Sequence, residues 1–135
     1  MKMDFGVGIG RALRIDEIPD HARVAEECGF SHLTFVDQPN LDRDVHVMMA
    51  MAVANTQRIR IGHGVIDPYT FRPWVIANAT ATLNELSGGR VFLGIGAGGE
   101  YGKAIKPRPL QELREAIQFI RKYMAGEEAE FQGVR

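Results

Sequence analysis

The sequence predicts a parallel α/β sheet built from four successive βα units. Three observations carry this. Four short apolar runs with strand character recur along the chain. Each is followed by a stretch with apolar residues at helical spacing. Gly or Pro punctuates the boundaries between them. Strands separated by helices of this length pair in parallel through right-handed crossovers. An open doubly wound sheet and part of a (β/α)8 barrel both satisfy that pattern.

Phe5 to Ile9 alternates with period two, as a strand does. Asp16 is the expected N-cap of the first helix, with Ile18, Ala22, Ala25 and Cys28 along one face and Gly29 as its stop. His32 to Val36 reads as the second strand. Asn40 or Asp42 is the expected cap of the second helix, whose apolar face is Val45, Met48, Met49, Ala52 and Val53. Arg58 to Ile66 is the third strand. Pro73 suits the first turn of the third helix. In that helix Ile76, Thr80, Leu83 and Leu86 face one way, and Ser87, Gly88 and Gly89 end it. Arg90 to Ile95 is the fourth strand. Pro109 opens the fourth helix, with Leu110, Leu113, Ile117, Ile120 and Met124 as its stripe and Gly126 as its end. The segment 127–135 is expected to begin an irregular or β insertion.

At 135 residues, the chain suits one domain with one core. It is 45% hydrophobic and 24% charged, with a formal net charge of −1 and its basic residues spread out. That balance argues against a nucleic-acid or anionic-membrane surface. The longest wholly apolar run, Val47 to Ala54, is far short of a membrane span. The opening MKMDFGVGIG does not resemble a signal peptide. Cys28 is the one cysteine, placed for packing at a helix end, and fits a reducing compartment. The expected location is the cytoplasm. The four histidines and Cys28 show no metal-ligand spacing, so no metal site is expected.

Gly94 to Gly99 (GIGAGG) matches the dinucleotide pattern G-x-G-x-x-G. In a Rossmann site the helix begins inside that motif, so that its N-terminus holds the pyrophosphate. Here Glu100 to Arg108 intervenes, with Pro107 and Pro109 favouring extended chain. A second glycine pattern is wider. Gly6, Gly8 and Gly10 share a face of the first strand, Gly62 and Gly64 of the third, and Gly94, Gly96 and Gly98 of the fourth, with Phe92. Such bare faces either relieve a crowded barrel interior or let a ligand approach backbone. Arg11, Asp37 with Gln38, Asp67 and Glu100 all follow strand C-termini, the end at which parallel α/β folds bind ligands.

FVDQP at the end of the second strand, GVIDPYTFRPW after the third, and LNELSGGRVFLGIGAGG around the fourth resemble the luciferase-like monooxygenase superfamily. The nearest likeness is to its branch of methylene-tetrahydromethanopterin reductases. The resemblance implies the N-terminal half of a (β/α)8 TIM barrel, with residues 1–135 forming a single but incomplete domain. A complete barrel needs about 250 residues. It implies coenzyme F-420 (a deazaflavin) or FMN as coenzyme. Hydride would pass between that ring and a small organic substrate. An FMN-dependent monooxygenase using oxygen, or a flavin-binding barrel without turnover, are the alternatives. The complete protein is expected to be a homo-oligomer.

The resemblance also implies residue roles. Gly64–Val65 matches a non-prolyl cis peptide behind the coenzyme ring. Asp37 matches an acid at the ring's polar edge. Gln38 stands where some relatives place a catalytic histidine, a departure that argues against sugar-phosphate dehydrogenase activity. Gly96, Ala97, Gly98 and Gly99 match a loop whose N–H groups hold the coenzyme. Either Gly99 or Glu100 takes the position of an acid. The implied catalytic set is Asp37, Gln38 and Glu100. His63 falls on the apolar face of its strand and is expected to be a satisfied structural histidine.

Overall fold

The computed structural model describes residues 3–10, 13–38, 43–98 and 109–131. Four strands alternate with four helices. These are β1 (Gly6–Ile9), α1 (Ile18–Glu27), β2 (His32–Phe35), α2 (Val45–Ala54), β3 (Arg60–His63), α3 (Pro73–Ser87), β4 (Val91–Phe92) and α4 (Leu110–Met124). The strands form one parallel sheet in the order β1-β2-β3-β4. That order decides between the two architectures. A doubly wound sheet reverses its strand order at a switch point. Here it never reverses, so right-handed crossovers leave every helix on one face. The helices accordingly pack in sequence, α1 on α2, α2 on α3 and α3 on α4. These are four βα units of a (β/α)8 barrel.

The core lies between sheet and helices. Ile9, Leu33, Phe35 and Ile61 come from the strands, Ile18 and Ala22 from α1, Val45, Met49 and Ala52 from α2, and Ile76 and Ala77 from α3. The opposite face of the sheet carries the glycines. Gly8, Thr34, Gly62 and Phe92 are register partners across all four strands. A Cβ on Gly62 would lie 2.5 Å from the Phe92 carbonyl oxygen and 2.6 Å from its ring. A Cβ on Gly64 would lie 2.6 Å from Thr34 Cβ, and one on Gly94 would overlap the His63 carbonyl. At these three positions neighbouring strands demand the glycine, so the crowded-interior reading holds there.

Several boundaries differ from the sequence expectation. Asp16 does not cap α1. It lies inside a 3-10 turn, Ile15–Glu17, where Arg14 Nη2 donates to its Oδ2 at 2.7 Å. The α-helix starts two residues later because Pro19, lacking an N–H, fits its first turn. The cap of α2 is Asp44, whose Oδ1 accepts from the His46 and Val47 amides at 2.9 and 3.0 Å. Asn40 and Asp42 lie outside the described residues. Strand β3 is shorter than expected because the chain bulges at Gly64–Val65, a cis peptide. Pairing resumes with an isolated Ile66–Ile95 bridge. Gly88 ends α3 in the left-handed region at φ 68°, and the Gly89 amide donates to the Asn84 carbonyl at 2.9 Å.

Three side chains face differently from their pattern. Leu86, Leu110 and Met124 are exposed. The buried stripe of α4 runs through Ala116, Phe119 and Ile120, and Leu110, six residues before Ala116, points away from it at 3.6 residues per turn. Cys28 is exposed rather than packed, because α1 ends at Glu27 and leaves it as the cap. Residues 127–131 contain no strand, although Ala129 and Phe131 pack against the core.

Two clamps hold the turn before β3, at the end of the sheet opposite the strand C-termini. Glu26 of α1 accepts from the backbone amides of Gln57, Arg58 and Ile59, the shortest at 2.6 Å. Arg90 donates to the carbonyls of Val53, Thr56, Ile59 and Ser87 and to the Thr56 hydroxyl, at 2.9–3.2 Å. Its planar fork of five donors suits that ring of acceptors.

Candidate functional site

The candidate site is the mouth formed where β2, β3 and β4 end. The bulge after β3 is stitched into it by backbone bonds. The Gly64 amide donates to the Phe35 carbonyl at 2.7 Å, and the Asp37 amide to the Val65 carbonyl at 3.2 Å. The Ile66 amide donates to the Gly94 carbonyl and the Gly96 amide to the Ile66 carbonyl, both at 3.0 Å. Asp37, Val65 and Gly96 are thus fixed relative to one another by main chain.

Val65 is 45% exposed, although the buried residues His63, Ile66 and Asp67 stand around it in the chain. It leans toward β4. A Cβ on Gly96 would lie 3.0 Å from Val65 Cγ2, and one on Gly94 3.5 Å from Cγ1. The glycines therefore leave the valine room to lie flat at the mouth.

Two buried carboxylates near this apolar surface are linked through Thr70. Asp37 is 4% exposed and Asp67 is 2% exposed. Asp67 Oδ1 accepts from the Tyr69 and Thr70 amides, each at 2.8 Å, and shapes the D-P-Y-T turn. The Thr70 hydroxyl donates to Asp37 Oδ2 at 2.8 Å. Burial pushes the Asp37 carboxyl above its ordinary value, and the neighbouring charges of Asp67 and Asp44 push the same way. The Thr70 bond opposes that shift. Asp67 Oδ2 is buried with no hydrogen-bond partner among the described residues. It faces Gly98, whose φ is 76° and on which a Cβ would lie 3.8 Å from Oδ2.

The structure thus brings together Asp37, Gly64, Val65, Gly96 and Gly98, with Ala97 between the last two. Gln38 follows Asp37 and is half-buried. Gly99 and Glu100 lie outside the described residues, as does Arg11. Sequence reasoning missed Thr70 and left Asp67 among general loop acids. The signal was the D-P-Y-T turn, in which an aspartate that accepts local amides presents the threonine three residues on. His63 is buried as expected but is not satisfied. Neither ring nitrogen has a partner among the described residues. No group of three or more His, Cys, Asp or Glu among the described residues is placed to hold a metal ion. No described helix is long and apolar enough to cross a membrane. A groove lined by Glu115, Phe119, Lys122 and Phe131 includes none of the strand-end residues.

The comparisons agree with this geometry. The family model described as luciferase-like monooxygenase matches residues 2–135. The 5,10-methylenetetrahydromethanopterin reductase of Archaeoglobus fulgidus is 34% identical, over 97% of this chain and 40% of that protein. The chain therefore spans less than half the length of that relative. The coenzyme F420 dependent tetrahydromethanopterin reductase of Methanopyrus kandleri superposes with a TM-score of 0.85 at 25% identity, covering 98% of this chain and 43% of the other. The oxygenating constituent of 3,6-diketocamphane monooxygenase from Pseudomonas putida, solved with FMN, shares the fold. Its TM-score is 0.81 at 22% identity, over 98% of this chain and 42% of that one. Sequence, strand order and the mouth of the sheet lead to one conclusion, that the chain belongs to the luciferase-like monooxygenase family.

Proposed function

We propose that this chain forms part of an oxidoreductase that binds a flavin-type coenzyme, F-420 or FMN, at the mouth around Val65. The observation that carries the reading is the exposed Val65 side chain at the strand ends, with the buried carboxylates Asp37 and Asp67 close by in the chain's fold. An apolar surface edged by hydrogen-bond acceptors suits a flat heteroaromatic ring that carries N–H donors.

The residues present fit such a group. Val65 offers the surface on which the ring would rest. Asp67 Oδ2 is a buried acceptor without a partner among the described residues, and it lies beside Gly98. Gly96, Ala97 and Gly98 bring main chain to the same edge. Bound there, the coenzyme would supply hydride exchange with a small organic substrate on its open face. Asp37 and Asp67 would orient it, and Thr70 would fix the Asp37 carboxylate. Asp37, whose burial raises its affinity for a proton, is the residue best placed to hold one beside the ring. Gln38 and Glu100 are the other two candidates for contact with reacting atoms.

A fluorescence titration of the protein expressed from its complete reading frame tests this. Micromolar binding of F-420 in preference to FMN supports hydride transfer by the deazaflavin. Preference for FMN supports the oxygen-using alternative. Binding of neither overturns the proposal.

A further inference from the structure

Behind the mouth, between β3 and α2, two imidazoles meet. The ring centroids of His46 and His63 are 5.2 Å apart at an interplanar angle of 73°, and Phe71 packs edge-on against His46 with centroids 5.0 Å apart. His63 is 1% exposed, and neither of its ring nitrogens has a partner among the described residues. His46 Nε2 is buried without one as well. His63 leads directly into Gly64, and its carbonyl lies against Gly94. The pair therefore packs directly behind the segment that carries Val65.

We propose that His46 and His63 are positioning residues that support the Gly64–Val65 segment only while both imidazoles are neutral, so that the mouth loses its shape in acid. Three imidazole nitrogens without a partner among the described residues tolerate no charge in so dry a place. The charged group facing His46 is Asp44, the cap of α2, with Oδ1 3.8 Å from Nδ1. Besides burial, His46 is the titratable neighbour acting on His63. Phe71, packed against His46, brings no charge.

Burial lowers the proton affinity of both rings, weakly opposed at His46 by Asp44, and takes His63 down to about 3. Unfolded histidine titrates near pH ~6.5. The support is therefore complete above about pH 6.5 and weakens as pH falls, because the unfolded chain binds more protons than the folded one. His46 is the less buried ring and takes the first proton. Its buried Nε2 then carries a charged N–H with no acceptor. The ring turns toward Asp44 and solvent, leaving Phe71 and His63 without their partner.

The coenzyme arm of the test rests on the proposed function, and a second arm does not. With selective glycine and histidine labelling of the complete protein, NMR follows the Gly64 amide and the His46 ring from pH 8 to 5.5. F-420 affinity is measured across the same range. The Gly64 resonance is expected to move with the His46 titration, and Kd to rise about fivefold toward acid. In His46→Phe both effects shrink to within about twofold of nothing. Titration of the coenzyme itself is common to both proteins and cancels. His46→Leu is the second variant, and thermal midpoints at pH 8 show that each is folded. A Gly64 resonance that ignores the His46 titration, or equal pH profiles in wild type and variants, overturns the proposal. If wild type binds no coenzyme at any pH, the proposed function fails, and the Gly64 arm still decides this one.

Discussion

The Thr70 hydroxyl donates to Asp37 Oδ2 at 2.8 Å and so ties the turn after β3 to the end of β2. It is one bond that helps to orient the buried carboxylate. Thr70→Val is expected to cost about 1–2 kcal/mol at neutral pH, by leaving the carboxylate short of a donor. Asp37 already holds its proton to higher pH than an ordinary aspartate, because it is buried. A raised native-state pKa means that stability falls as pH rises through the titration. The penalty of Thr70→Val is therefore larger at neutral pH, where the carboxyl is ionised, than in acid below its raised titration. Urea melts over a pH series from neutral into acid check this.

Val65 is the apolar surface of the mouth. Val65→Ala removes two methyl groups from any ring stacked there, which corresponds to about 1–1.5 kcal/mol. Coenzyme affinity should fall about five- to tenfold with little change in thermal midpoint. An unchanged Kd would place the ring elsewhere.

Arg90 closes the far end of the sheet. Its guanidinium serves four carbonyls and a hydroxyl, and lysine cannot reproduce that fork. Arg90→Lys should destabilise by about 2–3 kcal/mol, because buried carbonyls lose their donors. Coenzyme affinity at saturating stability should be unaffected, since the clamp lies opposite the mouth.

Glu26 behaves as a charged cap for three amides. Burial alone would raise its pKa, but the amides of Ile59, Arg58 and Gln57 outweigh it and hold the carboxyl below the ordinary glutamate value. Its stabilisation is present above about pH 4 and is lost as pH falls through the depressed value. Glu26→Gln should cost about 1–2 kcal/mol at pH 7, and the difference from wild type should close as pH falls through the depressed titration.

Much of the fold was legible because helix spacing and punctuating residues are local signals. Gly29, Pro73, Gly88 and Gly126 each mark a boundary that the structure keeps. Strand order was not legible, since periodicity cannot say which strands pair. The glycines of β3 and β4 were visible as a pattern, but their cause was not. It took Thr34 beside Gly64, Phe92 beside Gly62 and the His63 carbonyl beside Gly94 to show that neighbouring strands require them. Asp37 stood out at a strand end. Thr70 did not, because its partner lies 33 residues away. The His46–His63 contact was equally hidden, as it joins α2 to β3 across the core.

The most direct test of coenzyme binding at this mouth is a crystal structure of the complete protein soaked with F-420 and, separately, with FMN. The expected result is a ring lying against Val65 with its polar edge toward Asp37 and Asp67. A ring bound elsewhere, or a coenzyme phosphate held at the start of α4, would contradict it.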